Sequence, residues 1–213
     1  MDETSLIHGI AGYLIFVTGL LQYLLQKGGK RHRIIGKIYF FTWFVLVISG
    51  AAIGGVMITF LGLFGLYYAI TGIRFAVVKG QPDSPLDKAI SAIGFTCSIA
   101  ILFFAGKFYL KGNINFATIF VVFGLLFGIN SFKDVRTLFV GVNKHPLASH
   151  KMYWFFEHYT RFTISFIAAL TAFSAIQNVT TVVVINWMLP TVLGTVYLVY
   201  VGKKYRKQFK ITK

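Results

Sequence analysis

Glu157, His158 and Arg161 stand within five residues of one another at the head of an apolar run that continues to Ile176, with His150 a short distance upstream. Ionised groups are costly in such a run and usually have a partner or a task there. On a helix of about 3.6 residues per turn, His150, Trp154, Glu157, Arg161, Ala168 and Ala172 share one face, and Ser165 lies at its edge. Glu157 and Arg161, spaced i, i+4, can neutralise each other, while His158 points about 100° away towards a different neighbour. Three kinds of chemistry fit. Glu157 and His158 can transfer protons or bind a cation. Arg161 can hold an anion. The set can also be structural, an ion pair that pins the helix while Arg161 reaches the interface. Glu157 is the one carboxylate expected inside a long apolar run, so no paired-carboxylate site, triad or zinc-protease helix can be assembled, and no catalytic residue is singled out.

The elements that must position these groups follow from composition. The 213 residues are 56% hydrophobic and 13% charged, with a mean hydropathy of +0.72, which excludes a soluble domain and indicates a polytopic membrane protein. A span needs about 20 mostly apolar residues. Seven such runs occur: Leu6 to Gln26, Ile34 to Gly54, Val56 to Val78, Leu86 to Gly106, Ile114 to Ser131, Lys151 to Gln177 and Thr181 to Gly202. The expected fold is an all-α transmembrane bundle over residues 1–202 followed by a basic tail, 203–213. Spans two and three are divided only at Gly54-Gly55. Ser84 or Asp87 is the expected cap of span four, and Lys133 to Val140 reads as a continuation of helix five beyond the apolar run. The first run has no small-residue cleavage pattern after it and is expected to be a span, not a removable signal peptide.

Charge sets the expected orientation. Eighteen of the 21 Lys and Arg residues fall in loops one, three and five with their flanks and in the tail, and only Lys107 and Lys111 lie opposite. The positive-inside rule then gives an outside N-terminus and a cytoplasmic C-terminus. The net charge of +15 is spread over short clusters between apolar runs, which suits anionic lipid headgroups at the cytoplasmic face of the bilayer and not nucleic acid. Cys97 is the single cysteine, so neither an internal disulfide nor a thiolate metal site is available.

Two histidines on facing helices can hold haem b. In this topology His32, His145, His150 and His158 share the cytoplasmic side, so a His32–His158 or His32–His150 pair is possible, whereas His8 stands alone at the other end. His8 and His32 otherwise read as interfacial side chains bonded to a carbonyl or a lipid phosphate. Both open an H-x-I-x-G pattern that looks like coincidence more than a repeat. Gln22 and Asn130 read as interhelical hydrogen-bond formers, the Phe and Tyr residues as lipid-facing surface and interface belt, and Gly50 to Gly55 as a close helix contact or a bend.

His8 with Gly12, Gly19 and Gln22, then His32-Arg33-x-x-Gly36-x-x-Tyr39, then a histidine-led basic and aromatic stretch opening a late span, resembles the bacterial membrane-protein family called domain of unknown function 2306. Ser165 to Phe173, Asn186 to Thr191 and the basic tail fit the same likeness. The family pattern sets Trp-Met and Arg close behind the late histidine. Here the order is His150-Lys151-Met152, with Arg161 well downstream, so either His150 or His158 can be the matching position. The resemblance implies a multi-span bundle in the bacterial inner membrane and supplies no mechanism. The expectation is a small binding or transport module, leaning away from an enzyme, whose polar site of Glu157, His158, Arg161, His150 and His32 lies in the cytoplasmic half. A haem-linked redox protein and a non-catalytic scaffold are the alternatives.

Overall fold

Seven helices make up the bundle: α1 Glu3–Leu24, α2 Lys30–Gly55, α3 Ile58–Val78, α4 Pro85–Leu110, α5 Ile114–Val140, α6 Tyr153–Gln177 and α7 Val183–Gln208. The computed structural model describes residues 2–211, apart from the side chains at 56 and 57. Lys213, counted above with the basic tail, lies outside the described residues. Every helix is long and apolar enough to cross a membrane, and among the described residues there is no strand. This is the all-helical, multi-pass architecture expected from the apolar runs.

The division at Gly54-Gly55 holds. Hydrogen bonding runs on from Lys30 to Val78, but Gly55 has φ 66° and ψ −166°, a conformation that breaks the helix there and that glycine alone adopts without penalty. The start of α4 is fixed as the turn chemistry requires. Ser84 accepts from the Asp87 amide, the Asp87 carboxylate accepts from the Ser84 amide, and Pro85 occupies the first helical position. At the other end of α5 the helix does continue through Lys133 and stops at Gly141, which adopts the left-handed cap conformation.

Two buried clusters share the bundle. One joins Phe64, Tyr67 and Tyr68 of α3 to Ile101 of α4 and to Phe120, Phe123 and Phe127 of α5. The other joins Ile15 of α1, Tyr39 and Trp43 of α2, Leu66 and Ala69 of α3, and Phe166 of α6. Leu63 of α3 and Ala168 of α6 pack against both, so the halves meet on α3 and α6. α7 is the least enclosed, with 6% of its apolar window buried, although Gly194 brings it against Ile167 of α6.

The expectation for the aromatic residues needs correction. Many aromatic rings are not surface: Tyr39, Trp43, Tyr68, Phe120 and Phe127 are among the largest fully buried side chains, because edge-to-face ring packing fills the space between helices. α7 runs on to Gln208 and places Tyr205 and Phe209 against Phe155. Asn130 donates to Leu126 O one turn back in its own helix, and Gln22 bridges helices, donating to His32 O at 3.0 Å.

Candidate functional site

Arg161 is the centre of the polar cluster. It is 7% exposed, and its Nε donates to Glu157 Oε2 at 2.8 Å while Nη1 and Nη2 donate to Asp134 Oδ2 and Oδ1 at 2.7 and 2.6 Å. The planar fork of a guanidinium matches a carboxylate with two parallel bonds, which is the strongest form of this pairing. The same guanidinium lies over the Phe75 ring at 4.9 Å, and Tyr67 donates its hydroxyl to Asp134 Oδ2. Arg161 therefore does not extend to the interface: its charge is met inside the bundle by carboxylates from two helices.

The local sequence explains how each group arrives there. Phe120, Phe123, Phe127, Ser131 and Asp134 follow one another at three- and four-residue steps, so Asp134 continues the buried face of α5. On α3, Tyr67, Thr71 and Arg74 share a stripe in the same way. Gly72 permits the contact between α3 and α6, since a Cβ there would lie 3.2 Å from Arg161 Cβ and 3.3 Å from the Phe162 amide nitrogen. The pair Glu157 and Arg161 was legible in the sequence as an i, i+4 contact. Asp134 and Tyr67 were not, and the reading of Glu157 as the lone carboxylate of the bundle is overturned by Asp134 and by Asp87, which is 6% exposed and pairs with Arg74 at 2.7 Å.

The two oxygens of Glu157 face different partners. Oε2 holds Arg161, whereas Oε1 stands 3.7 Å from His145 Nε2. His145 Nδ1 accepts from the Leu147 amide, so in the neutral ring the proton sits on Nε2 and faces Glu157. Burial holds the His145 imidazole below its ordinary value; Glu157 opposes this, and the charges of Arg206, Lys133 and Arg161 add to it. The loop carrying His145 is tied down by Asn143, which donates to Tyr153 OH and to Gln81 Oε1.

Beside this network lies a cavity of about 670 Å³ between α5, the α5–α6 loop, α6 and α7. Asp134, Glu157 and Arg161 form its floor, while Phe156, Leu198 and Val199 give it an apolar wall. Lys133, Arg136, Lys144, Lys203 and Arg206 surround it. A much smaller void, about 20 Å³, separates Asp134 and Arg161 from Arg74 and Asp87; it has room for one water.

The other expected residues are distributed differently. His158 donates from Nδ1 to Gly72 O at 2.8 Å and lies with its ring centroid 6.5 Å from that of His32, so these two histidines are brought together. Neither lines the cavity. His150 precedes α6, with its Nδ1 accepting from the Met152 amide, and so does not share the helical face of Arg161. At the far end of the bundle, His8 bonds Ser49 Oγ at 3.0 Å, not a carbonyl. Among the described residues no group of three or more His, Cys, Asp or Glu side chains is arranged to hold a metal ion. Comparison with protein-family models, with curated proteins and with solved structures finds no match.

Proposed function

We propose that the protein is a binding or transport module of the bacterial inner membrane, with its ligand site in the cavity between α5, α6 and α7. The observation that carries the reading is the surplus carboxylate at Arg161. One carboxylate would suffice to neutralise Arg161, yet two surround it, and both line a cavity large enough for a small molecule, where Glu157 Oε1 faces the His145 ring. The basic end is taken to face the cytoplasm, on the positive-inside rule, and the bacterial setting rests on the likeness to domain of unknown function 2306. Glu157→Gln keeps an acceptor for Arg161 Nε and removes the charge. It is expected to leave the folded yield intact and to abolish retention of the small molecule that co-purifies from native membrane, read by mass spectrometry. A collapse in yield with retention per folded molecule unchanged would make Glu157 structural. A periplasm-only reporter fused after Ser5 is expected to be active; silence would reverse the orientation.

A second reading, a haem-linked redox protein, has the His32–His158 pair in its favour: His158 Nε2 is uncommitted, and His32 Nδ1 is buried without a hydrogen-bond partner. Against it stand the Phe162 ring 6.1 Å from the His158 ring and the tight α3–α6 contact at Gly72, which crowd the space a macrocycle needs. Protein expressed with excess haem and lacking a Soret band would eliminate this reading.

A further inference from the structure

The cavity carries more charge than its floor requires. Six cationic side chains line it against two carboxylates, Asp134 and Glu157. Arg161 is consumed by those carboxylates. The remaining five, Lys133, Arg136, Lys144, Lys203 and Arg206, form no ion pair among the described residues, where every other intramolecular pair uses Arg74, Lys88 or His145. Arg136 adds a sharper mark, because its Nε is buried without any hydrogen-bond partner. A buried guanidinium N–H left unpaired costs more than an ordinary missing bond, and the same side chain lines the hollow. The wall opposite is apolar, and Val199, which lines the cavity, is also 53% exposed on the outer surface of α7.

We propose, resting on the reading of this cavity as the ligand site, that it takes a phosphate ester, with the anionic group held by Arg136, Arg206 and the neighbouring lysines. The phosphate lies at the basic rim, because Asp134 and Glu157 repel it from the floor. Hydroxyl groups on the ester meet Glu157 Oε1, which stands 3.7 Å from His145 Nε2 and, as a carboxylate oxygen, accepts but cannot donate. Two sources offer this chemistry. A phospholipid headgroup would enter from the bilayer past Val199, and a soluble phosphate ester would enter from the aqueous end.

The test uses the full chain in phosphate-free maltoside micelles, with phosphatidylglycerol added to the micelles in one arm and glycerol phosphate added to the buffer in the other. Native mass spectrometry counts the molecules each released chain retains. One phosphate-bearing adduct is expected, and its occupancy is expected to fall at least about tenfold in Arg136→Gln or Arg206→Gln, as loss of a charge-assisted hydrogen bond implies. Arg206→Gln, near the end of α7, serves if Arg136→Gln does not fold. Lys107→Gln and Lys111→Gln, at the other end of the bundle, are expected to retain the adduct. An adduct from phosphatidylglycerol alone identifies a lipid source, and one from glycerol phosphate alone a soluble source. No adduct in either arm, or an adduct insensitive to both arginine variants, overturns the proposal. Gly202→Trp separates this failure from failure of the site itself, since Gly202 lines the cavity and has nothing within 4 Å of a Cβ. A neutral molecule retained by the wild type and lost in Gly202→Trp leaves the cavity as the site and removes phosphate as its ligand. Retention unchanged in Gly202→Trp removes the cavity.

Discussion

Arg74 and Arg161 are both clasped by an aspartate through two parallel hydrogen bonds, yet the two pairs sit in different settings. Arg74 and Asp87 are thirteen residues apart and join the ends of α3 and α4 across one short loop; Asp87 also completes the capping box of α4 and takes bonds from Ser84. Every acceptor there is used locally, and the arginine side chain is 28% exposed. Arg161 instead gathers carboxylates from α5 and α6 and a tyrosine from α3, is buried, and adjoins a large cavity. The first pair is explained by closing a helical hairpin. The second carries a carboxylate more than neutrality needs, and that surplus is what a structural role leaves over.

The contrast can be broken in order of expected size. Arg161→Met strands Asp134 and Glu157 without their cation and is expected to cost about 3–5 kcal/mol, seen as a large fall in the thermal midpoint in detergent. Arg74→Met leaves Asp87 its Ser84 bonds and partial solvent, and about 1–2 kcal/mol is expected; a loss equal to that of Arg161→Met would erase the distinction. Tyr67→Phe removes one bond to Asp134 and leaves the arginine fork intact, for about 1 kcal/mol in the same assay.

Much of this organisation could be read from the chain. The seven runs, the Gly54-Gly55 break, the Ser84 cap and the Glu157–Arg161 spacing are local patterns, each contained within one helix or turn. Asp134 was missed because Lys133 and Arg136 surround it and made the segment read as solvated helix. The stripe from Phe120 through Phe127 and Ser131 points it inwards and was the available signal. Tyr67 and Arg74 lie on another helix from their carboxylates, and such pairings depend on how helices pack, which no single run encodes. Charge counting foretold the basic end, but it could not place five of those cations around one hollow.

The smallest effect concerns His145. Its folded value lies below the ordinary 6.5, so as pH falls through 6.5 the unfolded chain takes up a proton before the folded one does, and stability drops. Above 6.5 this penalty is absent. His145→Gln is expected to flatten that part of the stability profile, while Arg74→Met leaves its slope unchanged.

The decisive difference between the two arginine centres is access, and thiol labelling in a Cys97→Ala background measures it. Thr160 lines the large cavity, and Ser91, 1% exposed, lines the small void beside Arg74 and Asp87. Thr160→Cys is expected to react rapidly with an anionic, membrane-impermeant methanethiosulfonate, drawn in by the basic rim, while Ser91→Cys stays unmodified on the same timescale. Equal rates at the two positions, or a silent Thr160→Cys in folded protein, would contradict the assignment of the Arg161 centre to an open binding cavity.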